Sequence, residues 1–218
     1  MEKNMEAKTA KRCRGRPQVR SDDETKEVIL TAADDQFRIA GYAAASISDI
    51  AKTAGVSTKT LYRLFPAKAD LFSDVISMRI EDYLLALDTE GMADTPLVES
   101  LEKVLSAYGR LTLSVDTVAM TRLVFSEYGR FPELAAVFYE KAIRRTSIAI
   151  EGWLKHRVSL GELRIDNIPE TTGMLRGMMA MEPQRALMLG RIDTISDTEI
   201  TARARSCAAL FLRGCSIN

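Results

Sequence analysis

From Asp22 to Arg213 the apolar residues of this chain recur at three- and four-residue spacing, and no stretch alternates persuasively between apolar and polar. That period belongs to helices with one buried stripe. It commits the 218-residue chain to an all-α fold of roughly nine or ten helices. The clearest stretch is 132–159, where Ala135, Phe138, Ala142, Ala149 and Trp153 share one side and Glu140, Lys141, Arg144, Arg145 and Lys155 lie mostly on the other. Val28, Ile29, Ala32, Ala33 and Phe37 mark a first helix that Gly41 should stop. Others read at 96–114, 117–129, 170–189 and 197–213, with Pro183 expected to kink or split the penultimate one. Apolar residues make up 46% and charged residues 28%, enough to build a core and too apolar for disorder throughout. No uncharged apolar run reaches the roughly 18 residues a membrane helix needs. No secretory signal is legible, and Cys13, Cys207 and Cys215 cannot make a disulfide framework, so a reducing cytoplasm is the simplest expectation.

Charge is balanced overall, 30 basic against 30 acidic residues, which excludes a globally basic nucleic-acid binder. It is not evenly spread. Residues 1–20 hold seven basic and two acidic side chains, and the basic excess sits at the N-terminal end. Residues 1–22 read as a flexible basic arm in which Arg14-Gly15-Arg16-Pro17 has the composition of a minor-groove insert.

The informative stretch is Ser46 to Leu71. Ser46, with Asp49 three residues on, caps a short helix striped by Ile47, Ile50, Ala51 and Ala54. Gly55 suits the positive φ of a tight inter-helix turn, and Ser57 caps a second short helix ended by Pro66. Two such helices form a helix-turn-helix whose second member can enter the DNA major groove, with Thr58, Lys59 and Thr60 free to reach base edges.

These residues also resemble a known family. Gly41-Tyr42, Ser46-Ile47, Asp49-Ile50-Ala51, Ala54-Gly55-Val56-Ser57, Leu61-Tyr62, Phe65, Lys68 and Leu71 are similar to the DNA-binding domain of the TetR family of bacterial regulators. Arg130-Phe131-Pro132-Glu133-Leu134, Phe138, Trp153-Leu154 and Gly161-Glu162-Leu163 more weakly resemble an AefR-like C-terminal subgroup. The resemblance implies a homodimer on a palindromic operator, with a helix-turn-helix domain at 23–70 and a helical effector-binding and dimerisation domain at 71–218. By position it implies that Ser46 binds a phosphate, Ser48 reaches a base, Thr58, Lys59 and Thr60 read bases, and Tyr62 and Lys68 hold phosphates. Ala67 departs from the family pattern and removes a cap worth about 1 kcal/mol.

The remaining helices carry Tyr108, Met120, Phe125, Tyr128, Phe138, Trp153, Met174 and Met178, a set of aromatics and methionines suited to an adaptable apolar cavity. No charged cluster dictates a charged ligand, so the expected effector is small and hydrophobic or aromatic. The last two helices carry more apolar surface than one stripe needs. Met179, Leu187, Ile200, Ala204, Cys207, Ala208 and Phe211 are therefore the expected dimer interface, closing a four-helix contact. No phosphate loop, nucleophile elbow or Cys/His cluster appears, and His156 stands alone, so neither an enzyme, a metal site nor a cofactor is expected. The competing reading is a helix-turn-helix regulator without a small-molecule ligand, governed by dimerisation or a protein partner.

Overall fold

The computed structural model describes residues 20–86 and 95–215, and among them there are nine helical rods and no strand. They are α1 (Asp22–Ala44), α2 (Ile47–Ala54), α3 (Thr58–Leu64), α4 (Lys68–Ala86), α5 (Leu97–Thr112) and α6 (Val115–Glu127). Then α7 joins Pro132–Phe138, a π turn at Tyr139–Arg144 and Arg145–Ser159. In α8, Ile168–Arg176 continues through a second π turn, Gly177–Met181, into Glu182–Met188, and α9 is Asp197–Cys215. No helix among the described residues is long and apolar enough to cross a membrane.

Local chemistry explains the ends. Ser21 and Glu24 make a reciprocal capping box on α1, with three acidic residues in its first turn. Gly41 interrupts α1 at φ 79°, a conformation other residues adopt only at a cost. Ala67 has no side chain to cap the helix, and only the other half of a capping box forms: the Asp70 carboxylate accepts the Ala67 N–H at 3.0 Å.

Pro183 neither splits nor ends its helix. A proline removes one N–H and crowds the carbonyl four residues earlier. Here the backbone widens into the π turn, and the Arg203 fork on α9 donates to the carbonyls of Met179 (2.8 Å) and Met178 (2.9 Å). A guanidinium from another helix replaces the bond that the proline cannot make.

Two apolar clusters form the core. One gathers α1–α3, the first half of α4, and Met120, Val124, Leu134 and Phe138 from α6 and α7. Its aromatic centre is Phe37, Tyr42 and Phe72, with Phe131 edge-on to Tyr42 at 5.3 Å. The other surrounds α5 and includes Tyr83 of α4, Trp153, Leu175 and much of α8 and α9. A Cβ added at Gly109 on α5 would strike Met179 and Ile200, so glycine there permits close approach of α8 and α9.

This second cluster corrects the expected interface. Met179, Leu187, Ile200, Ala204, Cys207, Ala208 and Phe211 are all buried within the single chain. They pack against α5 and each other, and leave little surface for a second chain to cover. The side chains that α8 and α9 leave outside are different: Met174, Met181 and Leu210 are 61%, 50% and 62% exposed, beside exposed Ala202, Ser206 and Ala209.

Candidate nucleic-acid interface and cavity

The helix-turn-helix is built from α2, a turn and α3. Gly55 adopts the left-handed conformation at φ 69°, ψ 32°, the geometry that lets α2 stop and reverse within one residue. Ile50 and Leu61 are both fully buried and set the angle between the two helices. The Ser57 hydroxyl accepts the Thr60 N–H at 3.0 Å, capping α3. The first turn of α3 therefore faces out, where Thr58 and Lys59 are exposed.

The other expected contact residues are placed unequally. Ser48 and Tyr62 are exposed. Thr60 is half-buried and its hydroxyl is bonded to that of Ser57 at 2.9 Å, so it is less free than Thr58. Ser46 caps α2 through a long 3.4 Å bond from the Asp49 N–H. Lys68 lies 4.8 Å over the Tyr42 ring and donates to the Ala43 carbonyl at 3.3 Å; burial pulls its ammonium below the usual lysine value. Arg14 and Arg16 lie outside the described residues. Periodicity did not single out Arg63, whose fork grips Asp22 at 2.7 and 2.8 Å and fixes α3 to the start of α1. A basic residue on the outer face of a recognition helix is a signal that could have drawn attention to it.

A second site lies deeper, among α4 to α8: a cavity of about 290 Å³, near the lower end for small-molecule sites. Of the residues expected there, Tyr108, Met120, Phe125 and Phe138 line it. Trp153, Tyr128, Met174 and Met178 do not. Trp153 is buried in the neighbouring core with its Nε1 unpartnered, Tyr128 and Met174 are mostly exposed, and Met178 packs on the α5 cluster. Helical spacing identified their apolar faces but not which faces turn to the cavity.

Both π turns contribute to the wall, through Ala142 and Ile143 on α7 and Gly177, Ala180 and Met181 on α8. Such turns open a helix by one residue and commonly occur at binding sites. On α7 hydroxyls bond to carbonyls of the π turn, Thr146 donating to Ala142 at 2.7 Å and Ser147 to Ile143 at 2.8 Å.

Two arginines also line the cavity, where the sequence showed no charged cluster that would dictate a charged ligand. Arg79 on α4 forms a bidentate, largely buried pair with Asp34 of α1, and a second contact at 3.5 Å with Asp116 of α6. Asp116 also receives Arg38 of α1 at 3.1 Å. The wall is thus tied by charge to the helix-turn-helix support. Arg176 on α8 instead meets hydroxyls, Nε donating to Tyr108 at 3.2 Å and Nη1 to Ser147 at 2.6 Å.

Among the described residues nothing else resembles a reactive centre. Burial raises the thiols of Cys207 and Cys215 above the usual cysteine value. Cys13 lies outside the described residues. Among the described residues no cluster of His, Cys, Asp and Glu could hold a metal ion.

Known proteins share both parts. Residues 29–75 match the family model of bacterial regulatory proteins of the tetR family, and residues 99–214 match that of the AefR-like transcriptional repressor C-terminal domain. The HTH-type transcriptional regulator YhgD of Bacillus subtilis is 24% identical over 63% of this chain and 69% of its own. The HTH-type transcriptional activator FasR of Mycolicibacterium smegmatis is 26% identical over 52% of each chain. Among solved structures, a TetR-family regulator from Mesorhizobium loti superposes with a TM-score of 0.80 at 20% identity, over 91% of this chain and all of that one. The Flavonoid-responsive Regulator FrrA gives 0.72 at 28% identity, over 89% and 98%.

Proposed function

The chain belongs to the TetR family of bacterial transcriptional regulators, whose members bind DNA operators and form dimers, and from that premise we propose that it is a cytoplasmic repressor released from a palindromic operator by a small organic effector. The observation that carries the effector is Arg79. It stands in the cavity wall and is paired with Asp34 of α1, so a ligand that moves α4 moves the support of the recognition helix. Ile76 and Ile80, on the same face of α4, line the cavity as well. A ligand shifts DNA affinity only by binding two shapes of the dimer unequally. An effector that weakens DNA binding tenfold must itself bind tenfold, about 1.4 kcal/mol, more weakly to the DNA complex. The mainly apolar cavity supports this reading over a regulator without a ligand.

The proposed dimer uses the outer face of α8 and α9, around Met174 and Leu210, in place of the buried set. Thr58 and Lys59, with Ser48 beside them, are the proposed base readers; Lys59 suits a guanine O6/N7 contact. Ser46, Tyr62 and Lys68 are proposed phosphate contacts, Lys68 after its side chain leaves Tyr42.

Selecting bound duplexes from a random pool tests the function. Inverted repeats are expected, with half-sites spaced by about 34 to 36 Å or a small multiple. On the selected duplex Lys59→Ala should cost about 1 to 3 kcal/mol and relax preference at one position, with little change on random DNA. Equal loss on both duplexes would move Lys59 from base to backbone contact, and no enrichment at all would overturn sequence-specific binding.

A further inference from the structure

We infer that the cavity takes an amphipathic organic anion, a carboxylate on a compact apolar body, with Arg176 as its counter-charge. The inference rests on the effector reading above and adds the ligand's chemical class.

The two cavity arginines differ in their neighbours. Arg79 is neutralised by Asp34 and Asp116. Arg176 has no carboxylate within ion-pair distance among the described residues, and its two hydrogen bonds go to the neutral hydroxyls of Tyr108 and Ser147. Five N–H donors project from a guanidinium, so these two bonds leave a cationic fork with donors to spare. The group is half-buried, 5.4 Å over the Tyr108 ring, and held in place from both sides. A cation fixed in an apolar wall without its own anion is costly. A ligand carboxylate offsets that cost through charge-assisted hydrogen bonds.

The rest of the wall fits the body of such a ligand. Leu111, Met120, Phe125, Phe138 and Ile143 supply apolar surface. The Thr121 and Thr146 hydroxyls donate to carbonyls of their own helices, at 2.7 Å each. Arg79 is neutralised by its aspartates and the Gln184 amide donates to the Thr112 carbonyl at 3.5 Å, so the uncompensated charge of the wall lies at the Arg176–Tyr108 end. A volume of about 290 Å³ has room for an aromatic acid of one or two rings or a medium-chain fatty acid.

Matched pairs test this: benzoate, 1-naphthoate and octanoate against their primary amides, each titrated calorimetrically into the full-length protein at neutral pH. At least one carboxylate is expected to bind tenfold or more tightly than its amide. In Arg176→Gln that preference should vanish while the amide's affinity holds. Arg176→Lys, which keeps the charge but not the fork, should restore part of it. Ala142→Phe, which fills the cavity, should abolish binding of both members of the pair. Carboxylate and amide binding equally to wild type, and both lost in Ala142→Phe, would overturn the anion inference and leave the cavity reading standing. Binding that survives Ala142→Phe, or no binding in either series, would overturn the cavity as effector site.

Discussion

Arg157→Ala is expected to lower the stability of the protein by about 3 to 5 kcal/mol. The side chain is 1% exposed on α7, in the core around α5. Its Nη1 donates to Glu162 at 2.9 Å, and its Nη2 to the Thr95 carbonyl and the Ser100 hydroxyl at 3.0 Å each. Truncation removes a stem whose methylenes contribute about 0.8 kcal/mol apiece. It also strips a donor from the fully buried Ser100, at about 1 to 3 kcal/mol. Glu162 adds less, because its side chain is 35% exposed and can turn to water. Arg157→Lys should recover only part of the loss, since an ammonium cannot span three acceptors as a fork does. Urea denaturation followed by circular dichroism at fixed protein concentration measures both; a loss under 1 kcal/mol for alanine would show that the guanidinium is already hydrated.

Phe211→Glu is the second large effect. As a dimer-face residue it would yield folded monomers. Phe211 is only 9% exposed within its own chain, so the substitution removes core packing and drives a carboxylate into an apolar cluster. We expect at least about 4 kcal/mol of destabilisation and a largely unfolded or aggregated product. Leu210→Glu, one residue away and 62% exposed, should keep the fold and weaken the dimer. Sedimentation combined with circular dichroism separates the two; a well-folded Phe211→Glu monomer would return that residue to the interface.

The contrast between neighbours 210 and 211 marks how far the sequence can be read. Periodicity shows which stripe of a helix is apolar, but not whether the same chain or a second one covers it. The helix-turn-helix was legible because its determinants are local: two serine caps, a glycine at positive φ and two wedge residues, all within a few turns. The cavity charges were not, because Arg176 meets Tyr108 across 68 positions and Arg79 meets Asp34 across 45. The fate of Pro183 was hidden for the same reason. Its rescue comes from Arg203 on another helix, which no local rule for proline includes.

The apolar cluster beneath the helix-turn-helix has a consequence for how such regulators can be recombined. Met120, Val124, Leu134 and Phe138 come from the sensing half of the chain, yet they complete the reader's core, and Phe131 closes on Tyr42. A chimera spliced at the start of α4 would part Ile29 and Phe37 from Phe72 and from the α6 and α7 surfaces shaped to fit them. Exchange of operator specificity between relatives should therefore succeed by replacing the exposed residues of α3 alone, or by transplanting α1 to α4 together with the facing strips of α6 and α7. Crossovers between those limits should give proteins that bind neither DNA nor effector.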